Sequence, residues 1–297
     1  MKAIVCTRGG PPDVLEHREV EKPSPKAREL LIRIHASTVT SGDVILRKLR
    51  GPLRWVFGLA FGLGKDAILG HELAGDVEAV GGKVTKFDHG DAVFASTGNK
   101  GGANAEAICL SENGMVARKP TNLTYEEAAA VPVGANTALV ILRKAPLLKD
   151  RDVLIYGASG SVGTFATQLA RHFGAQVTGV CSTANLDLVR SLGAARVVDY
   201  TQGDFTQIGG SYDVIFDAVG KTSESKCKGI LKAGGSFLSV RSPTKERQEN
   251  LVFLKDLLEA GEIWPVIDRT YPLEEIVAAH RYVETGRKRG NVVLQIA

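Results

Sequence analysis

Cysteine is scarce and scattered. The 297-residue chain has four, Cys6, Cys109, Cys181 and Cys227. None sits in a CxxC pair, so neither a disulfide framework nor a cysteine zinc knot is written into the sequence. Long apolar runs are missing too. No stretch reaches the roughly 20 apolar residues that a membrane-spanning helix needs. The nearest, Gly51 to Leu69, is interrupted by Arg54, Lys65, Asp66 and several glycines. Met1 to Arg8 alternates like a strand and lacks the apolar region of a signal peptide. Charge of one sign does not accumulate either. The net charge is +4 and the lysines and arginines form no long run, so nothing points to nucleic acid. These absences leave a globular chain in a reduced setting, cytoplasmic or of an organelle matrix, of a length that predicts about two domains.

Two kinds of pattern are present. Residues 1–120 carry short β-rich runs punctuated by Gly and Pro: Ile4-Val5, Leu30 to His35, Ala74 to Val80 and Ala92 to Ala95. Val77 to Gly81 followed by Lys86 to Val93 reads as strand, turn, strand. Residues 121–264 instead alternate strands and helices. Strands are expected at Val153 to Tyr156, Val177 to Val180, Arg196 to Asp199, Val214 to Asp217 and Ser236 to Val240. Helices are expected at Val162 to Phe173, closed by Gly174, at Leu186 to Leu192, and at Leu251 to Ala260. Such alternation predicts a doubly wound parallel sheet. The tail reads strand, helix, strand and is placed back on the first domain. The expectation is therefore an α/β protein: a mostly β domain from 1–120 and 265–297, with 121–264 as an inserted dinucleotide-binding domain.

The sharpest local motif is Tyr156-Gly157-Ala158-Ser159-Gly160-Ser161-Val162-Gly163, between a predicted strand and a predicted helix. That context makes the glycine pattern a dinucleotide site. Ala158 takes the first glycine position of GxGxxG. Gly160 lets the backbone approach a pyrophosphate, Gly163 lets helix and strand pack closely, and the helix start offers free N–H groups. A tight turn without a ligand would use the same glycines. The second strand ends in Cys181-Ser182-Thr183-Ala184-Asn185, with no acid to hold a ribose 2′-hydroxyl. Hydroxyls there can donate to a 2′-phosphate, so NADPH is the expected cofactor, with Tyr200 as a further contact. No Lys or Arg follows directly; the nearest is Arg190.

With these pieces in view the chain resembles the medium-chain dehydrogenase/reductase superfamily, in its zinc-free quinone oxidoreductase-like branch. The resemblance rests on Gly70-His71-Glu72-Leu73-Ala74-Gly75, on Val80-Gly81 with Val84, Phe87 and Gly90-Asp91, and on Glu127 to Ala130 with Thr137-Ala138. The glycine motif, Leu192-Gly193-Ala194 and Asp217-Ala218-Val219-Gly220 complete it. It implies a GroES-like catalytic domain and a Rossmann domain enclosing a cleft. It also implies that Thr137 lies near the nicotinamide, that Ala218, Val219 and Gly220 line its ribose, and that Leu238, Ser239 and Val240 pass beside its ring. Lys288 and Asn291 stand where relatives touch the nucleotide.

The resemblance raises zinc, because zinc members use the His of Gly-His-Glu as a ligand. No Cys stands within Ser37 to Ser41, and neither Cys nor Asp near Val133-Gly134, so no metal is expected. His71 then reads as a structural or cleft-lining residue and Glu72 as a polar contact near the domain junction. A reductase without zinc suits quinones and α,β-unsaturated carbonyls, with the cofactor carrying the difficult chemistry. Thr40 stands where relatives place a substrate-orienting Asn and is the candidate catalytic residue. Asp43 and Arg47 match family positions and serve equally as loop support. The apolar stretch Trp55 to Phe61 reads either as a lip for a bulky substrate or as core. Between the strand ending at Val240 and the helix starting at Leu251, relatives carry a longer segment whose edge strand helps form a homodimer; here ten residues intervene, Arg241 to Asn250. A non-catalytic NADPH-binding sensor or accessory subunit remains the rival reading.

Overall fold

Leu and Ile fill the run Glu29–Thr38, and it becomes a central strand of a seven-stranded sheet. The structure is a computed structural model that describes residues 1–51, 54, 58, 64, 66–145, 147–207, 209–245 and 247–296. The chain forms two compact units. One comprises Met1–Val133, Glu246–Asp256 and Ile267–Ala297; the other comprises Gly134–Lys245 and Leu257–Val266.

In the first unit the sheet runs in the order Ile267–Pro272, Asn291–Gln295, Glu29–Thr38, Glu72–Val80, Ala92–Ser96, Val116–Arg118. Ala107–Ser111 also pairs with Glu29–Thr38. The strand-turn-strand pattern is realised as Glu72–Val80 antiparallel to Ala92–Ser96, with Leu73 opposite Ala95. A smaller sheet joins Leu15–Glu19, Lys2–Cys6 and Ala67–Ile68. Apolar residues from Lys2–Cys6, the helix Ser41–Lys48, the helix Ile276–Glu284 and Asn291–Gln295 form one core cluster, including Ile4, Val44, Ile276 and Leu294. Burial of such residues drives the tail back onto the start of the chain.

The second unit holds five parallel strands in the order Arg196–Asp199, Gln176–Cys181, Asp152–Tyr156, Tyr212–Asp217, Leu231–Ser239. Strand order reverses at Asp152–Tyr156, and in open parallel sheets ligands bind beyond the carboxyl ends of the strands at such a switch. The last strand begins earlier than its sequence suggests. Tyr212 pairs with Leu231, then the register shifts so that Val214 pairs with Ser236. Gly234, at φ +75°, lies in the extra stretch. This strand closes one edge of the sheet, and no sixth strand joins it among the described residues.

The unit boundaries differ from those expected in three places, the smallest being residues 265–266, which join the second unit. Residues 121–133 belong to the β-rich unit, because the helix Tyr125–Ala129, boxed by Thr124 and Glu127, is tied there. The Tyr125 hydroxyl donates to Asp76 at 2.5 Å. The helix Gln248–Glu259 is divided. Its Gln248 amide donates to the carbonyls of Glu112 and Val116, holding its first turns in the β-rich unit. Beyond it, Trp264 is held in the other unit by Gln168, whose side chain accepts from Trp264 N at 2.8 Å.

Candidate dinucleotide site and buried polar cluster

The glycine turn follows Asp152–Tyr156 and leads into the helix Ser161–His172. Gly157 adopts φ +81°, and a Cβ there would lie 2.6 Å from Val219. Gly163 has no room at all, since a Cβ would fall 2.0 Å from the Gly157 carbonyl oxygen. Gly160 is different. A Cβ on it would meet nothing closer than 3.6 Å, so protein packing does not demand glycine there. Gly160 is also the helix N-cap and supplies no side-chain cap. An open cradle at uncapped helix amides fits a pyrophosphate. Ala158 is accommodated because Gly179 faces it: a Cβ on Gly179 would lie 3.1 Å from the Ala158 methyl. Gly157, the residue that turns the chain, was not among the expected contacts; its position directly after an apolar strand was the available signal.

At the end of the second strand the structure brings several expected residues together. Asn185 Nδ2 donates to Ser159 Oγ at 3.1 Å and Ser182 Oγ at 3.2 Å. Tyr200 N donates to the Cys181 carbonyl at 3.1 Å, and the Tyr200 ring is half exposed. Thr183 departs from expectation. Its hydroxyl donates to the carboxylate of Asp199, which also accepts from Thr201 N at 2.8 Å and Thr201 Oγ1 at 2.7 Å. Thr183 therefore has no proton to give a 2′-phosphate in this arrangement. Those threonine hydrogen bonds hold the Asp199 carboxyl below its ordinary range. Arg190 is paired with Asp187 at 2.8 Å. An acid does stand beside Thr183, supplied by the third strand rather than the second.

On the other side of the switch, Ala218 N donates to the Tyr156 carbonyl and Val240 N to the Asp217 carbonyl, each at 3.0 Å. Leu238 pairs with Phe216 and Ser239 with Asp217. Residues 218–220 and 238–240 thus lie together beyond adjacent strands, and Val219 is exposed. Thr137 lies on the helix Gly134–Leu142, half buried. That helix approaches the glycine turn closely, since a Cβ on Gly134 would be 2.4 Å from Ser161 Oγ.

Thr40, Lys288 and Asn291 belong to the β-rich unit. The Thr40 hydroxyl is the N-cap of Ser41–Lys48, accepting from Asp43 N at 3.1 Å and donating to Asp43 Oδ2 at 2.5 Å. In this arrangement the Thr40 hydroxyl caps the helix through Asp43. Asp43 is fully buried and gathers Gly70 N at 3.0 Å and His71 Nδ1 at 2.7 Å. Glu72, also fully buried, accepts from Thr38 Oγ1 at 2.6 Å and Val133 N at 2.8 Å. Burial pushes its carboxyl up to about 7 against those hydrogen bonds. Lys288 Nζ donates to the Gly290 carbonyl at 2.5 Å, and burial lowers its ammonium to about 8 although Glu72 opposes this. Asn291 is buried at the start of its strand. Arg47 is fully buried and pairs with Glu284. The apolar stretch at 55–61 lies, apart from Gly58, outside the described residues.

Sequence comparisons agree with this architecture. A family model for an alcohol dehydrogenase GroES-like domain matches residues 26–145, and two described as zinc-binding dehydrogenase match 161–263 and 236–294. A 2-methylene-furan-3-one reductase from Solanum lycopersicum is 34% identical, with the alignment covering 99% of this chain and 79% of that protein. The chain belongs to the medium-chain dehydrogenase/reductase superfamily. Within this superfamily it is quinone oxidoreductase-like. A chloroplastic NADPH-dependent alkenal/one oxidoreductase from Arabidopsis thaliana is 30% identical over 99% of this chain and 79% of its own. The solved structure of a quinone oxidoreductase from Coxiella burnetii superposes with a TM-score of 0.87 at 25% identity, covering 100% of this chain and 99% of the other. A medium-chain dehydrogenase/reductase is an oxidoreductase, and its fold combines a GroES-like domain with a Rossmann-like sheet. The zinc in two of the matched descriptions finds a poor donor set here. His71 presents Nδ1 to Asp43, residues 37–41 hold no cysteine, and no cluster of three His, Cys, Asp or Glu is assembled among the described residues.

Proposed function

We propose that the protein is a zinc-independent, NADPH-dependent reductase of quinones or α,β-unsaturated carbonyls. The observation that carries this reading is the Gly160 cradle, open to a ligand and lying at the uncapped start of a helix beside the switch in strand order. The names of the relatives, furanone reductase, alkenal/one oxidoreductase and quinone oxidoreductase, support the acceptor class.

When bound, a reduced nicotinamide supplies hydride to an electron-poor carbon or a quinone. The residues named here do the holding. The amides at Ser161 to Gly163 receive the pyrophosphate, and Ser159, Ser182 and Asn185 form a hydroxyl-and-amide shelf toward the adenosine ribose. Residues 218–220 and 238–240 flank the nicotinamide half. With Thr40 committed to its cap, no side chain is assigned to deliver the proton, and solvent water completes the reduction. The four thiols are all free. No helix among the described residues is long and apolar enough to cross a membrane.

The commitment of Thr40 also favours a second reading, a non-catalytic NADPH-binding sensor or accessory subunit. Loss of NADPH absorbance, with NADH in parallel, against ortho- and para-quinones and enones separates the two. Turnover with one acceptor class supports the reductase. Tight NADPH binding without turnover on any acceptor supports the sensor.

A further inference from the structure

The parallel sheet of the second unit has two ends, and the glycine turn stands at the carboxyl one. At the amino ends of Asp152–Tyr156, Gln176–Cys181, Arg196–Asp199 and Tyr212–Asp217 lies a separate cavity of about 480 Å³. Its lining includes Asp152, Gln176, Thr178, Arg196, Gly210 and Tyr212. The size is that of a small-molecule site rather than of one water or ion. The strand register places Gln176 beside Asp152 and Thr178 beside Arg196, so these four side chains share one face of the sheet.

Tyr212 is buried in an apolar cluster with Leu154, Ile215 and Ile230, and its hydroxyl has no hydrogen-bond partner among the described residues. Buried tyrosine hydroxyls ordinarily find one, because an unmade hydrogen bond leaves the cost of desolvation uncompensated. Gly210 shows where this hydroxyl lies. Its φ is +103°, and a Cβ there would stand 3.4 Å from the Tyr212 hydroxyl and 3.5 Å from Arg196 Nη1. The phenol and the guanidinium therefore meet at the same bare stretch of backbone, which belongs to the cavity lining. Arg196 is exposed, and its bond to the Gly209 carbonyl is long at 3.3 Å. Asp152, the acid in the lining, is met by Lys232 Nζ at 2.7 Å. Arg196 thus makes the cavity positive.

We propose that this cavity is a second binding site, for a small molecule bearing a carboxylate or phosphate group. The oxyanion lies on the Arg196 guanidinium, drawn off the Gly209 carbonyl, and accepts a hydrogen bond from the Tyr212 hydroxyl. Gln176, Thr178 and Ser211 offer an amide and two hydroxyls to the polar remainder of the molecule. The site stands at the opposite end of the strands from the dinucleotide cradle and does not depend on that reading.

Titrations of inorganic phosphate and of citrate into the full chain, read by melting temperature at constant ionic strength, test this. At least one probe should raise the melting temperature of the unsubstituted protein and saturate, and which one does so tells a phosphate ligand from a carboxylate one. Arg196→Gln should weaken that probe about ten-fold or more. Tyr212→Phe keeps the ring and removes only the hydroxyl. It should leave the probe-free melting temperature unchanged or raised, as loss of an unpartnered hydroxyl requires, while weakening the probe about three- to ten-fold. Saturating NADPH should leave probe affinity within about two-fold. No saturable shift with either probe overturns the proposal. So does a shift that either variant retains in full, or one that NADPH abolishes, since an anion displaced by NADPH sits in the dinucleotide cradle. A lower probe-free melting temperature in Tyr212→Phe means that the hydroxyl already has a partner within the protein, and overturns it as well.

Discussion

His71 donates from Nδ1 to Asp43 at 2.7 Å, across 28 residues of sequence and onto a carboxylate with no solvent exposure. Burial by itself would raise the Asp43 carboxyl. The charge and hydrogen bond of His71, followed by the Thr40 hydrogen bond, override it and hold the group well below the usual carboxylate range. The folded pKa is depressed, so the stabilisation is fully present above the unfolded value and is lost as pH falls through the folded one. Asp43→Ala strands Gly70 N, Thr40 N and the imidazole together. We expect it to cost on the order of 3 kcal/mol at pH 7. Urea midpoints should show the deficit shrinking below about pH 4; a pH-independent deficit would contradict the ionic role of Asp43.

Glu72 has the opposite sign. Its carboxyl rises from 4.5 to about 7 on folding. Between those values the native state keeps a proton that the unfolded state has lost, so stability falls as pH climbs through that window. Glu72→Gln keeps an acceptor for Val133 N and removes the titration. The difference in unfolding free energy between the two proteins should move in favour of the variant by up to about 3 kcal/mol from pH 4.5 to pH 8. Parallel stability curves would remove Glu72 from the pH response.

Gly160 and Gly163 should respond differently to the same methyl group. In Gly163→Ala the methyl meets a backbone oxygen at 2.0 Å, and we expect a loss of about 2–3 kcal/mol measured by chemical denaturation. In Gly160→Ala the nearest atom is 3.6 Å away at an ordinary negative φ, so there is no clash and the stability loss should stay below about 1 kcal/mol, the preference of an N-cap for Gly over Ala. Cofactor affinity should nevertheless drop about ten-fold or more, because the methyl occupies the space offered to the pyrophosphate. Unaltered affinity for NADPH would remove Gly160 from the site.

Asp199 should set how strongly NADPH is preferred over NADH. Its carboxylate accepts the Thr183 hydroxyl's hydrogen bond, beside the residues proposed above to meet a 2′-phosphate. Asp199→Asn returns a donor and removes a charge. The ratio of NADPH to NADH affinity should rise by about ten-fold, as expected for one charge–phosphate interaction near the surface. A ratio unchanged in paired titrations would place the 2′ group elsewhere.

The parts legible in the sequence were those set by neighbours along the chain. Strand, glycine turn and helix at 152–172 were readable because periodicity and Gly placement are local. The strand 231–239 was read short because Gly234 and Gly235 mark a bulge as readily as an end. The roles of Thr40 and Thr183 were harder to read, because each depends on which partner its hydroxyl hydrogen-bonds. Thr40 has that partner three residues on, in Asp43, a spacing that fits a helix cap and a substrate contact alike. The Thr183–Asp199 bond spans 16 residues, a distance over which spacing carries no information about contact. The boundary at Val133 was likewise hidden, since Glu72 holds Val133 N from 61 residues away.

The strand Asn291–Gln295 lies between Ile267–Pro272 and Glu29–Thr38, with Val293 opposite Thr38. On the ribosome the earlier strand must wait for the later one for on the order of tens of seconds at ordinary elongation rates. Throughout that interval residues 36–38 lack their partner strand, while residues 29–33 are paired with Ala107–Ser111, and an unpaired edge of this kind is open to other chains. The sheet of the β-rich unit therefore stays open on that side until residues 291–295 have been made, however early its other strands pair.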